Sequence, residues 1–276
     1  MITEMLENVN VSSPLVHNIT NYVTVNDCAN ALLACGGSPI MADNVLEVED
    51  ITSISNALVI NIGTLNERTI ESMIKAGKKA NEINIPVIFD PVGAGASKLR
   101  METTFRLLKE IKFSVIRGNV SEIKVIGEKS IDNKSRGVDA SVSDKITDKN
   151  LDEYVIYAKN LSKKIGSVIA ITGAIDIIAY NNKAFVIRNG HPIMSKISGT
   201  GCMLSSIIGA YCGANYDKLL DATVAAVSIM GICGEKAYEK MKENSSGTSS
   251  CKVHLIDYIS RINKEILEER AKIEIR

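Results

Sequence analysis

The run Ala57-Leu58-Val59-Ile60-Asn61-Ile62, closed by Gly63-Thr64, and the run Pro86-Val87-Ile88-Phe89, closed by Asp90-Pro91, flank a segment with helical periodicity. Within that segment, residues 66–84, Ile70, Met73, Ile74 and Ala80 fall on one helical face. A run that is apolar on both faces suits a strand covered on both sides, the situation of a parallel sheet between helix layers. Strand, helix and strand in that order read as a βαβ unit with a right-handed crossover.

The same grammar recurs outward from this unit. Phe113-Ser114-Val115-Ile116 ends at Arg117-Gly118-Asn119, and Val168-Ile169-Ala170-Ile171 ends at Thr172-Gly173. The predicted fold class is therefore α/β, with a central, mostly parallel sheet flanked by helices. Ile177-Ile178-Ala179-Tyr180, Asn181-Asn182-Lys183 and Ala184-Phe185-Val186-Ile187 read as a hairpin at the sheet edge. From Gly201 the sequence reads as helical almost to its end. Residues 127–150 are polar and aperiodic, as expected of a surface excursion. No Pro/Gly/Ser-rich linker divides the chain, so one domain over residues 1–276 is expected.

Composition removes several classes of function. The chain carries 32 Lys+Arg against 32 Asp+Glu, and no segment has the dense positive charge that a phosphate backbone demands. Aromatic residues make up 4% with no Trp, which leaves no stacking platform for bases. Nucleic acid is thus an unexpected partner. With 45% hydrophobic and 23% charged residues, the composition is that of a folded globular chain. The start, MITEMLENVNV, has neither a basic leader nor a signal-type apolar run. The most apolar stretch, residues 222–234, is bounded by Asp221 and Glu235 and is too short to span a bilayer, so it reads as a buried helix. No membrane partner and a cytoplasmic location are the expectation. Cys28, Cys35, Cys202, Cys212, Cys233 and Cys251 are scattered without a CxxC pair, as reduced thiols would be. Three His and no clustered Cys argue against zinc.

Open parallel sheets bind ligands at the carboxyl ends of their strands. Here those ends carry Gly63-Thr64, Asp90-Pro91-Val92-Gly93-Ala94-Gly95, Arg117-Gly118-Asn119 and Thr172-Gly173, which converge on one edge. Ser198-Gly199-Thr200-Gly201-Cys202 opens an apolar helix. Glycines that turn backbone amides inward, added to the positive end of a helix dipole, make an anion hole for a phosphate or a developing phosphoryl charge. There is no Gly-Lys-Ser/Thr, so the loop is not a Walker motif, and Gly93-Ala94-Gly95-Ala96 is not a dinucleotide fingerprint. Cys202 falls in the first turn, where the dipole is expected to lower a thiol pKa, whereas Cys212 and Cys233 read as inert core residues. Glu122 reads either as a capping carboxylate or as an outer-shell Mg²⁺ ligand acting through water, and Asp90 either as a turn former or as a second carboxylate of that site. Together these point to a phosphate-handling α/β enzyme.

Five motifs in order make the chain resemble the hydroxyethylthiazole kinase family of thiamine salvage. They are Pro14-Leu15-Val16-His17-Asn18-Ile19-Thr20-Asn21, Ser38-Pro39-Ile40-Met41-Ala42, Asp90-Pro91-Val92-Gly93-Ala94-Gly95, Arg117-Gly118-Asn119-Val120-Ser121-Glu122 and Gly199-Thr200-Gly201-Cys202. The resemblance implies a ribokinase-like fold that transfers the γ-phosphoryl of ATP to the primary alcohol of 4-methyl-5-(2-hydroxyethyl)thiazole. It implies that Met41 contacts the thiazole and that Arg117 and Thr172 contact the ATP phosphates. Gly199 becomes the substrate-side glycine of an anion hole completed by Thr200 and Gly201, and Asp90 and Glu122 the carboxylates that organise Mg²⁺. Cys202 stands where sugar kinases of the fold carry a base aspartate. The resemblance further implies a homotrimer with active sites between subunits, so that Asn18, Asn21 and Asn26 would line a neighbour's pocket. One departure is the segment Gly247-Thr248-Ser249-Ser250-Cys251-Lys252, where a Gly-Thr/Pro-Gly-Ser-Phe pattern is expected.

Overall fold

The structure, a computed structural model, describes residues 1–130 and 145–276. Its strands are β1 (Leu15–Ile19), β2 (Ser38–Met41), β3 (Ala57–Asn61), β4 (Val87–Asp90), β5 (Val115–Gly118), β6 (Val168–Ile171), β7 (Asp176–Tyr180), β8 (Lys183–Ile187) and β9 (Ile273–Ile275). They form one nine-stranded sheet in the order β2-β1-β3-β4-β5-β6-β7-β8-β9. Strands β1 to β6 are mutually parallel, and β7, β8 and β9 add antiparallel neighbours. Helix α1 (Ile2–Ser12) precedes the sheet, and the crossover helices before β6 are α2 (Val25–Ala34), α3 (Val48–Ser53), α4 (Glu67–Glu82), α5 (Lys98–Glu110), α6 (Val120–Ser130) and α7 (Leu151–Ile165). Between β8 and β9 come α8 (Thr200–Ala214), α9 (Leu219–Glu243), α10 (Thr248–Ser260) and α11 (Lys264–Arg270).

The continuous apolar strands have a simple cause. Side chains alternate across a pleated sheet, and here both faces are dry. Val16, Val59, Ile88 and Val115 enter a core shared with α1, α2, α8 and α9. Leu58, Ile60, Phe89 and Ile116 enter a second core shared with α4, α6 and α7. Helix α4 starts at a capping box, in which Asn66 accepts from the Thr69 amide and the Thr69 hydroxyl accepts from the Asn66 amide. Its Ile70, Met73, Ile74 and Ala80 are buried, as their spacing predicts. The 222–234 stretch lies wholly inside α9 and is buried along its length. Among the described residues no helix is long and apolar enough to cross a membrane.

Two expectations change. The β7–β8 hairpin is present but does not form the edge, because β9 pairs with β8 at Phe185↔Ile275 and Ile187↔Ile273. Three residues interrupted by Glu274 are too short a strand signal to stand out next to a charged helix. The surface excursion expected at 127–150 begins later, since α6 runs to Ser130, and Ile146 is buried. The part of that expectation falling on residues 131–144 lies outside the described residues.

Candidate active site

Parallel strands place their carboxyl ends on one edge, and the polar residues at those ends meet there. Asn21 follows β1, Asn61 ends β3, Asp90 ends β4, Arg117 lies in β5, and Thr172 follows β6. Facing them is the start of α8. Its N-cap, Gly199, has φ 87°, a left-handed conformation, and a Cβ there would lie 2.6 Å from Thr24 Cγ2. The first amides of a helix have no intrahelical acceptor, so this end presents N–H groups and the positive end of the dipole beside these strand ends. A Cβ on Gly201 would lie 2.6 Å from Arg117 Nη1, so the missing side chain lets the guanidinium approach the loop.

A hydrogen-bonded chain crosses the site. Asn21 Nδ2 donates to Asn61 Oδ1 (3.1 Å) and to Cys202 Sγ (3.2 Å). Asn61 Nδ2 donates to Asp90 Oδ2 (2.8 Å) and to Cys202 Sγ (3.3 Å). Ser205 Oγ donates to Asp90 Oδ2 (2.8 Å), while Arg117 Nη1 stands 3.5 Å from Asp90 Oδ1. Asp90 Oδ1 and Arg117 Nε are nevertheless buried without a hydrogen-bond partner. Burial raises the Asp90 pKa; Arg117 opposes the shift and the Glu122 charge adds to it. Glu122 Oε1 accepts from the Gly93 amide (2.9 Å) and Oε2 from the Asn119 amide (2.8 Å). In return the Glu122 amide donates to Asn119 Oδ1, a reciprocal cap on α6.

Cys202 departs from expectation. Burial and then the Asp90 charge raise its pKa, outweighing the hydrogen bonds from Thr24, Asn21 and Asn61. The dipole acts on a group that the fold has desolvated beside an acid, and the thiol keeps its proton at neutral pH. Thr200 donates its hydroxyl to the Met194 carbonyl (3.2 Å). Thr172 caps β6 toward β5, its amide donating to Gly118 O at 2.9 Å.

Met41 stands apart from this cluster, half-exposed at the end of the edge strand β2 and in register with Asn18. His17 Nε2 donates to the Ala42 carbonyl (2.8 Å), which fixes the chain just after Met41. Asn18 is buried and accepts from Ser206 within its own chain (2.9 Å), and Asn26 is exposed on α2. At the departure near the carboxyl end, Cys251 is buried in α10 within the first core. Sequence reasoning missed Asn61, Ser205 and Asp176. Asn61 is a polar residue ending an apolar run, Ser205 lies one turn beyond Cys202, and Asp176 is an acid opening an apolar strand. Buried Asp176 accepts from the Gly173 amide (2.8 Å). Burial pushes its carboxyl up to about 7, against that amide and the Arg117 charge.

The model of the hydroxyethylthiazole kinase family matches residues 6–265. The chain belongs to this family. It is 59% identical over 274 residues to the hydroxyethylthiazole kinase of Clostridium acetobutylicum, covering 99% of each chain. It is 55% identical over 273 residues to that of Clostridium beijerinckii, covering 99% of this chain and 96% of the relative. Among solved structures, the hydroxyethylthiazole kinase protein of Pyrococcus horikoshii OT3 superposes with a TM-score of 0.88 at 35% identity, covering 100% and 98% of the two chains. A Staphylococcus aureus pyridoxal kinase solved with AMP-PCP shares the fold alone, with a TM-score of 0.63 at 14% identity over 95% and 97% of the chains. The mostly parallel α/β sheet flanked by helices that the sequence implies is thus the fold of this chain and of its solved relative.

Proposed function

We propose that the chain phosphorylates the primary alcohol of 4-methyl-5-(2-hydroxyethyl)thiazole with ATP, the activity for which its family is named. The observation that carries this reading is the meeting of Asp90, Arg117, Asn61 and Cys202 with the glycine-opened end of α8. Phosphoryl transfer through a loose transition state asks for positioning and charge neutralisation more than for a strong base. Arg117 and Thr172 hold the ATP phosphates, and the amides at Gly199, Thr200 and Gly201 stabilise the charge developing on the transferred group. Gly199 also borders the acceptor, with Met41 against the thiazole and Asn21 orienting the hydroxyl. Cys202, protonated and hydrogen-bonded, marks where that hydroxyl sits and contributes little as a base.

Asp90 and Glu122 are the residues that would hold Mg²⁺. The fit rests on Asp90 Oδ1, a buried carboxylate oxygen without a hydrogen-bond partner. Among the described residues no group of three or more His, Cys, Asp or Glu could hold a metal ion, and Mg²⁺ takes most of its ligands from phosphate and water. When bound, the ion neutralises charge on the transferring phosphates.

We also propose a homotrimer that completes the acceptor pocket between subunits. Strand β2 is a half-buried, apolar edge, and Tyr22, Val23 and Leu46 beside it are 78%, 64% and 86% exposed. An open edge next to exposed apolar side chains calls for a covering surface. Six unpaired thiols suit a reducing cytoplasm. The deciding experiment is coupled ATP consumption with Mg²⁺ and the thiazole alcohol, a hydroxymethylpyrimidine, or no acceptor. Turnover dependent on the thiazole supports the reading. Turnover with the pyrimidine alone overturns the acceptor assignment, and light scattering of the purified protein reads the trimer.

A further inference from the structure

Arg100 is in the wrong place for its helix. It sits in the first turn of α5, where the dipole disfavours a cation. Its guanidinium is turned back into the molecule. Nη1 donates to Ile62 O (2.8 Å) and Val92 O (2.5 Å), and Nη2 donates to Gly63 O (2.6 Å). Among the described residues no carboxylate pairs with it. A charged fork bonded only to carbonyls is a clamp rather than an ion pair, and its geometry is one that an ammonium group does not reproduce.

The clamped carbonyls belong to the two loops that frame the proposed chemistry. On one side, the Gly63 amide donates to Asn61 Oδ1 (2.8 Å), which aims Asn61 Nδ2 at Asp90 and Cys202. On the other, the Gly93 amide donates to Glu122 Oε1 (2.9 Å), one residue beyond the clamped Val92 carbonyl. We propose that Arg100 is a positioning residue that locks the loop after β3 to the loop after β4. It thereby fixes the spacing of Asn61, Asp90 and Glu122 in front of α8. The nucleotide-side groups Arg117 and Thr172 lie on β5 and after β6, outside the clamp. Arg100 therefore acts on turnover more than on nucleotide affinity measured at saturating Mg²⁺.

This inference rests on the phosphoryl-transfer reading, so its test carries one readout that needs no activity. R100A and R100K are compared with the wild type by steady-state kinetics with ATP, Mg²⁺ and the thiazole alcohol, and by amide hydrogen exchange on peptides covering residues 62–65 and 91–96. In R100A, kcat falls on the order of 10²-fold, the loss that a roughly 1 Å misplacement produces, while the ATP KM stays within about threefold. Exchange in both loops rises together by about tenfold or more, a local opening. Added guanidinium at tens of millimolar restores part of the R100A turnover. R100K keeps the charge and the stem and, lacking the fork, recovers only a minor share. A kcat for R100A or R100K within about threefold of the wild type overturns the proposal, as does unchanged exchange in either loop. Wild-type protein without thiazole-dependent turnover overturns the functional reading instead, and the exchange data still decide the clamp.

Discussion

Asn61 shares one amide group between an acid and a thiol: its Nδ2 lies 2.8 Å from Asp90 Oδ2 and 3.3 Å from Cys202 Sγ. Both acceptors are thus tied to the end of β3, one on the neighbouring strand and one in the first turn of α8. Ser205 donates to the same Asp90 oxygen, and Arg117 stands against the other.

Replacing Asn61 by Ala removes the donor from both groups without touching Arg117. The expected result is a fall in kcat of roughly 10²–10³-fold, the range found when a preorganised donor is lost, with the ATP KM changed by less than about threefold. Steady-state kinetics at saturating Mg²⁺ separate the two parameters. A raised ATP KM at constant kcat would place Asn61 on the nucleotide side and break the assignment.

Cys202 gives a second test, because its raised pKa leaves it a neutral group. General-base help is typically worth about 10²–10⁴-fold, and a protonated thiol supplies little of it. Cys202→Asp places a carboxylate at the position and is expected to retain or raise turnover, whereas Cys202→Ala lowers it. An aspartate variant that folds, binds ATP and does not turn over would show that position 202 does not face the acceptor hydroxyl.

Arg117 and Gly201 are linked by the 2.6 Å that a Cβ at 201 would leave to the guanidinium. Arg117→Ala should raise the ATP KM about tenfold or more, since a charged hydrogen bond is worth roughly 1.5–3 kcal/mol. Gly201→Ala should reproduce part of that rise by pushing Arg117 aside. Unchanged ATP affinity in both variants, measured by titration and by KM, would remove Arg117 from the phosphates.

How far the sequence carries this picture follows from what each residue depends on. Strands β3 to β6 are legible because a dry parallel sheet forces unbroken apolar runs, and their polar ends mark the site edge without coordinates. The α8 loop is legible through its glycines. Asn61, Ser205 and Arg100 are hidden because their partners lie far away in sequence: Ser205 meets Asp90 across 115 positions, and Arg100 meets Ile62 across 38. The direction of the Cys202 shift is hidden for another reason. A helix start predicts a lowered pKa, and only the packed neighbours reveal that burial and Asp90 win.

Asp176 supplies the prediction on stability. Its folded-state pKa of about 7 lies above the ordinary carboxylate value of 3.8, so the folded protein binds this proton more tightly than the unfolded chain does. The group therefore destabilises the fold above about pH 7, and the penalty fades as pH falls toward the unfolded value. Asp176→Asn keeps an acceptor for the Gly173 amide and carries no charge to bury. Thermal melts should show the variant more stable than the wild type at pH 8 by up to about 4.5 kcal/mol, at about 1.4 kcal/mol per pKa unit, with the gap closing by about pH 4–5. If the variant melts lower at pH 8, the attraction between Asp176 and Arg117 outweighs the burial of the carboxylate, and the acid earns its place as an ion-pair partner.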